Sequence, residues 1–140
     1  MIRPIQLDDY QKGYTNLLQV LTKVPEMISY TQFQEIIDTL GPRHQIFVME
    51  ENNTMIATMT CWIEKKMIHG GSNVLHVEDV IVHPDYQKRG IGKMLLDETK
   101  IIAMKEKCYK IILDCVMENK KFYENCGFTH KQIQMSFYID

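Results

Sequence analysis

The sequence has little of three features: charge of one sign, paired cysteines and apolar residues near its start. Its formal net charge is −2 and its pI is about 6.2, so no broad basic surface is available to nucleic acid or to an anionic membrane. We therefore expect neither as a partner, and we expect any recognition of phosphate to be local.

The four cysteines contain no Cys-x-x-Cys pair, and the opening residues, MIRPIQLDDY, lack the apolar stretch of a signal peptide. These absences favour a cytoplasmic protein without a metal site, whose thiols are reduced and packed in the core. The thiols belong to Cys61, Cys108, Cys115 and Cys126. With 140 residues and 45% hydrophobic content, the chain is predicted to form one domain over residues 1–140.

Apolar periodicity, glycine and proline divide the chain into elements of a mixed α/β (α+β) fold. A short edge strand is predicted first, because Pro4 cannot donate to a central ladder. Two capped helices follow, one from Asp8 to near Thr22, before Pro25, and one from Thr31 to Leu40. The other predicted elements are strands at 45–50 and 54–65 around an Asn52-Asn53 turn, a strand at 74–82, a helix from 91 to about 107, a strand at 109–115, a helix at 118–126 and a final strand within 128–139. Met55, Ala57, Met59, Cys61 and Ile63 are expected to share one face.

A glycine-containing loop lies between the strand that ends at Val82 and the helix that follows. It comprises Gln87, Lys88, Arg89, Gly90, Ile91 and Gly92. The two glycines allow a tight turn that brings backbone N–H groups close to a ligand. A helix start also carries unpaired N–H groups and the positive end of the helix dipole. We therefore predict a phosphate or pyrophosphate site here, at the carboxyl edge of a parallel crossover.

Two further groups of polar residues are candidates for function. Glu78 and Asp79 are adjacent in a strand, so one of them is expected to meet the interior, where a carboxylate needs a partner, a shifted pKa or an opening to solvent. A β-bulge would relieve this conflict, and we favour proton transfer or amine binding over an edge-strand solubility role. Lys66 and His69 precede Gly70-Gly71, where they form either a solvated edge or a small-anion site.

Five segments occur in a characteristic order along the chain. The loop at 87–92 and the segment N-x-x-F-Y-x-x-x-G-F at 119–128 are typical of GNAT N-acetyltransferases. The segments KKMIH (65–69), HVEDV (76–80) and CYKIILDC (108–115) are more specific to one family of these enzymes than the other two segments are. Together they resemble the glucosamine 6-phosphate N-acetyltransferase family of the GNAT superfamily, densely from about residue 54 to 135.

The resemblance implies a mixed central sheet splayed between strands 4 and 5, acetyl-coenzyme A in the gap, and a homodimer. It implies acetylation of D-glucosamine 6-phosphate, a step in UDP-N-acetylglucosamine biosynthesis. The implied contacts to acetyl-coenzyme A are Val80, Ile81, Val82, Gln87, Lys88, Arg89, Gly90, Ile91, Gly92, Asn119 and Tyr123. The implied contacts to the sugar phosphate are Thr22, Lys66, Met67, Ile68, His69, Glu78, Asp79 and Asp114.

The implied reaction is direct attack of the sugar amine on the thioester carbonyl. A backbone amide of the bulged strand would stabilise the oxyanion. Tyr123 would protonate the departing thiolate. Asp114 is the first candidate to orient or deprotonate the amine, and Glu78 acting through water is the competing candidate. The sequence leaves the choice between these two carboxylates open.

One departure from the family pattern concerns the last residues. Family members often carry a basic residue there that reaches the substrate phosphate across a dimer, whereas this chain ends MSFYID. Lys131 or Arg43 could substitute, or Lys66 and His69 could suffice. Two alternatives stay open: a GNAT enzyme for another small amine or a protein amine, and a non-catalytic acyl-coenzyme A sensor.

Overall fold

The computed structural model describes residues 1–22 and 27–139, and Pro25, the predicted helix stop, lies outside these ranges. The α-helices are α1 (Tyr14–Leu18), α2 (Tyr30–Thr39), α3 (Ile91–Lys105) and α4 (Lys120–Asn125). The strands are β1 (Arg3–Pro4), β2 (His44–Glu51), β3 (Thr54–Lys65), β4 (Asn73–Val82) and β5 (Cys108–Ile112).

The five strands form one mixed sheet in the order β1-β2-β3-β4-β5. Strands β1 to β4 pair antiparallel, whereas β4 and β5 are parallel and are connected by α3. The pairing of β4 with β5 ends where His76 meets Ile112, and β4 then continues to Val82 without β5 beside it. The sheet is therefore open between its fourth and fifth strands, as the resemblance implies.

Helices pack on both faces of the sheet and divide the core into two clusters. In one cluster Leu95 of α3 packs with Val77 of β4, and in the other Leu17 of α1 packs with Val48 of β2. Burying each of these side chains contributes about 1.5–3 kcal/mol. None of the helices in the described ranges is long and apolar enough to cross a bilayer.

The hairpin of β2 and β3 lies close to its predicted bounds. Asn52 and Asn53 have φ of 50° and 62°, as a tight two-residue turn requires. The ladder nevertheless contains a bulge, because Met49 pairs with Ala57 while the next residue of β2 pairs with Met55. The predicted common face is therefore wrong for Met55, which packs in the α1 and α2 cluster. The remaining four residues, Ala57, Met59, Cys61 and Ile63, pack in the α3 cluster.

The first predicted helix is wrong as a continuous element. Gly13 adopts φ of 89°, which separates a 3-10 turn from the short α-helix Tyr14–Leu18. The capping box at the start of the 3-10 turn uses Gln6 and Asp9, not the predicted Asp8. Left-handed backbone at a glycine ends a right-handed helical turn, so the apolar periodicity continues across a break in the helix.

Two other boundaries differ from the prediction. Helix α2 is capped by Ser29, whose hydroxyl accepts from the N–H of Gln32, not by Thr31. Strand β5 ends at Ile112 instead of Cys115, because the neighbouring strand has moved away and offers no further backbone partner.

The final strand predicted within residues 128–139 does not form. This segment pairs with none of the five strands, and its apolar side chains from Ile133 onward are exposed. The exposed fractions are 81% for Ile133, 87% for Met135 and 90% for Phe137. A strand requires a hydrogen-bonded neighbour, which the described part of this one chain does not supply.

The cysteines are only partly in the core. Cys61 and Cys126 are buried, and burial raises the pKa of the Cys61 thiol to about 12. Cys108 is half-buried and Cys115 is exposed, so the prediction of four core thiols is wrong. Cys115 follows the shortened β5 and therefore has no sheet around it.

Candidate active site

Strand β4 is interrupted at its two carboxylates. Thr60 of β3 pairs with Glu78, but Thr58 pairs with Ile81, so β4 contains one extra residue between these pairs. Asp79 has φ of 52°, a left-handed conformation that costs a residue other than glycine about 1–3 kcal/mol. The predicted β-bulge is therefore present.

The bulge changes where the two carboxylates lie. Glu78 and Asp79 are both exposed, so the prediction that one of them would meet the interior is wrong. Burial, and then the charge of Asp79, raises the pKa of Tyr14 on α1. Val77 and Val80 both pack in the α3 cluster, because the extra residue resets the alternation.

An open cavity of about 870 Å³ lies beside the separation of β4 and β5. Glu78, Asp114 and Tyr123 all line it, so the structure brings together the three predicted catalytic residues. Although Glu78 is exposed overall, partial desolvation raises its pKa, followed by the charges of Asp114 and Asp79. A carboxylate with a raised pKa holds a proton more tightly, which suits a general base.

Tyr123 reaches the cavity from α4. Its ring packs edge-on against Phe122 and Phe128, with ring centroids 5.1 and 6.2 Å away. Burial, and then the neighbouring thiols Cys115 and Cys126, raises the pKa of its hydroxyl. The hydroxyl therefore carries its proton at neutral pH and can donate it.

Side chains hold the loop at 87–92 against β4. The side-chain amide of Gln87 donates to the carbonyl of Val82 at 3.1 Å. The guanidinium of Arg89 lies 4.8 Å from the centroid of the Tyr86 ring. These contacts fix the loop at the end of the strand that carries Glu78.

The backbone of this loop has the form expected of an anion site. Lys88 and Gly90 have φ of 63° and 79°, and α3 begins directly afterwards. The hydrogen bond at the start of α3 runs from the N–H of Met94 to the carbonyl of Gly90. The preceding N–H groups have no acceptor within the helix and are suited to an anion.

Gly92 has a packing role that the sequence analysis missed. A Cβ atom on Gly92 would lie 2.8 Å from Cζ of Phe122 on α4. Glycine at position 92 therefore leaves room for the Phe122 ring, which would have to move away from any larger residue.

The backbone of β4 beyond the bulge faces the open gap. Ile81 is buried in the α1 and α2 cluster, and Val80 and Val82 pack against the α3 cluster. Their side chains are therefore used by the core, and the strand edge remains for a ligand. Asn119 is exposed at the start of α4.

Two of the predicted phosphate residues, Lys66 and His69, lie near the other end of β4. Nζ of Lys66 is 3.4 Å from Oε2 of Glu64, and the His69 ring packs on Tyr109 with centroids 4.2 Å apart. Met67 and Ile68 between them are 98% and 60% exposed. Thr22 is exposed at the end of the first described range. Lys66, Met67, Ile68 and His69 do not line the cavity that contains Glu78. Thr22 and Asp79 do not line it either.

A cluster beside Glu78 was also missed. Trp62 and His76 are cross-strand partners whose rings stack with centroids 4.0 Å apart. Nε2 of His76 is 2.9 Å from Oε1 of Glu64, and His76 lines the cavity. Trp62, Glu64 and His76 alternate with buried residues along β3 and β4. This alternation was the signal that could have placed the three side chains on one face of the sheet. Within the described ranges, no group of three or more His, Cys, Asp or Glu side chains is arranged to hold a metal ion.

Comparison with known proteins decides the family. The model of the acetyltransferase (GNAT) family matches residues 6–128. The chain belongs to the GNAT acetyltransferase family. The predicted fold and the prediction of an acetyltransferase are therefore confirmed.

Two relatives match this acetyltransferase over nearly its whole length. Glucosamine 6-phosphate N-acetyltransferase of Arabidopsis thaliana is 38% identical over 148 residues, covering 99% of this chain and 96% of that protein. Glucosamine 6-phosphate N-acetyltransferase 1 of Dictyostelium discoideum is 34% identical over 142 residues, covering 98% and 89%. The crystal structure of the Arabidopsis glucosamine-6-phosphate N-acetyltransferase superposes with a TM-score of 0.91 at 36% identity, covering 100% of this chain and 98% of that one. The resemblance found in the sequence is thus confirmed.

Proposed function

We propose that this acetyltransferase transfers the acetyl group of acetyl-coenzyme A to the amine of D-glucosamine 6-phosphate. The proposal depends on one observation: Glu78, Asp114 and Tyr123 meet at one cavity where β4 and β5 separate. Two carboxylates can bind and deprotonate an amine there, and a protonated tyrosine can donate a proton to the leaving thiolate. The names of the relatives support the sugar phosphate as acceptor. The enzyme would act in the cytoplasm and supply UDP-N-acetylglucosamine synthesis.

Acetyl-coenzyme A would lie along the open edge of β4. The pantetheine arm would contact the backbone of Val80 to Val82, which pairs with no described strand on that side. The pyrophosphate would bind the N–H groups of the loop from Gln87 to Gly92, and Asn119 would contact the cofactor from the opposite side of the gap. The backbone geometry of the loop and the charges of Lys88 and Arg89 support this placement.

The reaction would proceed without a covalent enzyme intermediate. The acceptor ammonium loses a proton to a carboxylate, and its nitrogen forms a bond with the thioester carbonyl carbon. A backbone N–H at the bulge stabilises the oxyanion, the C–S bond breaks, and Tyr123 protonates the thiolate. The nitrogen loses its second proton after the C–N bond has formed, and a proton from solvent restores the Tyr123 hydroxyl. The raised pKa of Glu78 supports it as the base, with Asp114 binding the amine.

The acceptor phosphate would bind near the start of β4. Lys66, His69 and Thr22 supply its proposed contacts, together with the exposed residues between Lys66 and His69. This end of β4 is opposite the loop proposed for pyrophosphate, so the two anions would be kept apart. The exposed Arg43 and Lys131 are the alternative cations.

We also propose that the enzyme is a homodimer in which a second copy covers residues 128–139. The exposed apolar side chains from Ile133 onward and the outer edge of β5, which pairs with no other strand of the described ranges, support it. Analytical ultracentrifugation should give about twice the chain mass of 16.5 kDa, and Phe137→Asp should shift the protein toward monomer. A wild-type monomer at all concentrations would contradict the proposal.

The acceptor is tested by measuring coenzyme A release with glucosamine 6-phosphate, glucosamine and spermidine. We expect the highest kcat/KM with the phosphorylated sugar. A better rate with spermidine or a peptide amine would overturn the acceptor and retain the acetyl transfer. Cofactor binding without acetylation of any amine would favour the sensor.

A further inference from the structure

The Glu64 carboxylate fixes the proton position on a histidine in the cavity wall. Its Oε1 atom is 2.9 Å from Nε2 of His76, and its Oε2 atom is 3.4 Å from Nζ of Lys66. The contact with His76 contributes most to lowering the pKa of Glu64, so this carboxylate is ionised at neutral pH. Because a carboxylate only accepts hydrogen bonds, Nε2 of His76 is the donor, and Nδ1 is the nitrogen left for a ligand.

The plane of the His76 ring is fixed by a second contact. Trp62 lies directly across the ladder from His76, and the two rings are inclined by only 15°. The side chain of His76 is 18% exposed. A ring held by stacking on one face and by a hydrogen bond at Nε2 has little freedom to rotate, so Nδ1 is preorganised.

His76 lies between the two ends of the proposed acceptor site. Glu78 follows two residues later on the same face of β4, and both residues line the cavity. On the other side, Glu64 connects His76 to Lys66, the proposed phosphate contact. In glucosamine 6-phosphate, the ring hydroxyls at C3 and C4 lie between the amine and the phosphate. A hydroxyl both donates and accepts, so it can pair with Nδ1 in either protonation state of the ring.

We propose that His76 recognises a ring hydroxyl of the acceptor through Nδ1, and that Glu64 and Trp62 are its positioning residues. This inference rests on the proposed function, because it concerns the same acceptor site. It adds a specificity determinant that separates a sugar from a simple amine with the same charges.

The activity test uses His76→Ala with His44→Ala as the matched control. His44 is also a cross-strand partner of Trp62, but it is exposed and does not line the cavity. Losing one hydrogen bond should raise the KM for glucosamine 6-phosphate about three- to tenfold and leave the KM for acetyl-coenzyme A within about twofold. His44→Ala should change neither. Equal increases in both KM values for His76→Ala would overturn the proposal.

Deoxy acceptors identify the group that His76 contacts. Wild-type enzyme should discriminate against either 3-deoxy- or 4-deoxy-glucosamine 6-phosphate, and His76→Ala should lose that discrimination. If the variant discriminates as strongly as the wild type against both analogues, hydroxyl recognition by His76 is wrong. If the wild type acetylates no form of the sugar, the proposed function fails, together with the acceptor named here.

Nitrogen-15 NMR of the imidazole tests the positioning part without relying on activity. In the wild type, the His76 ring should be protonated at Nε2. Glu64→Ala should lose this preference, and Glu64→Gln should largely keep it, because the glutamine carbonyl can still accept from Nε2. An unchanged tautomer in Glu64→Ala would overturn the positioning role of Glu64, whatever the acceptor proves to be.

Discussion

Glu78 and Asp114 occupy equivalent positions on two segments that have just separated. His76 and Ile112 form the last pair of β4 with β5, and each carboxylate follows its member of the pair by two residues. After desolvation, the charge of Asp114 is the next cause of the raised pKa of Glu78. The separation therefore makes room for a ligand and places one carboxylate on each side of that space.

Replacing Asp114 should change the pH dependence of the reaction. Asp114→Asn removes a negative charge near Glu78, so the pKa of Glu78 should fall. If Glu78 is the base, the acid limb of kcat should move to lower pH. The measurement is a kcat profile at saturating substrates beside Asp38→Asn, an exposed control on α2. Complete loss of turnover in Asp114→Asn would instead identify Asp114 as the base.

Tyr123→Phe should lower kcat and leave the KM for acetyl-coenzyme A nearly unchanged. The ring keeps its packing and loses only the donor to the thiolate, a contribution of about 10²–10⁴ in rate. A thioester with a more acidic thiol should recover activity, because its leaving group needs a proton less. Tyr30→Phe on α2 is the control. Unchanged single-turnover rates of Tyr123→Phe across the pH range would show that Tyr123 has only a packing role.

Gly92→Ala should impair the enzyme through α4. The new Cβ would lie 2.8 Å from Cζ of Phe122, so the Phe122 ring must move away, at a cost of up to about 1–3 kcal/mol. Thermal unfolding should show a lower Tm, and kcat should fall because the Phe122 ring packs against Tyr123. Gly41→Ala is the matched control, since nothing lies within 4 Å of its added Cβ. Equal Tm values for the two variants would contradict the packing role.

Arg3→Met should destabilise the fold by about 3–5 kcal/mol. Arg3 binds both oxygens of the fully buried Asp9, at 2.9 and 2.7 Å, and its loss leaves that charge without its main partner. Denaturant unfolding measures the loss, with the exposed Arg43→Met as control. A change below about 1 kcal/mol would show that Lys12 and the Gln6 amide suffice for Asp9.

The same ion pair predicts an effect of pH on stability. Burial alone would raise the pKa of Asp9, but the hydrogen bonds from Arg3 and Gln6 outweigh it, and the folded-state pKa is lowered. Asp9 therefore contributes stability above its unfolded-state pKa and loses it as the pH falls toward the folded-state value. Wild-type stability should decline more steeply in acid than that of Arg3→Met.

Local patterns in the sequence were enough for the parts of the fold that depend on neighbours in the chain. Two asparagines between alternating strands predicted the hairpin, and the glycines after Val82 predicted the loop and the start of α3. The motif order led to the GNAT family. The roles of the site residues, the single domain and the cytoplasmic location stay predictions.

Only the tertiary structure decided how these parts meet. Alternation placed Glu78 and Asp79 on opposite faces and indicated a bulge, but the position of the bulge and the exposure of both carboxylates depend on the pairing of two strands, which no single strand specifies. The contact of Gly92 with Phe122 and the Glu64–His76 pair join residues far apart in sequence, so local periodicity could not reveal them. The sequence determined which residues are present at each turn and strand, whereas packing between strands and helices decided which side chains face the cavity.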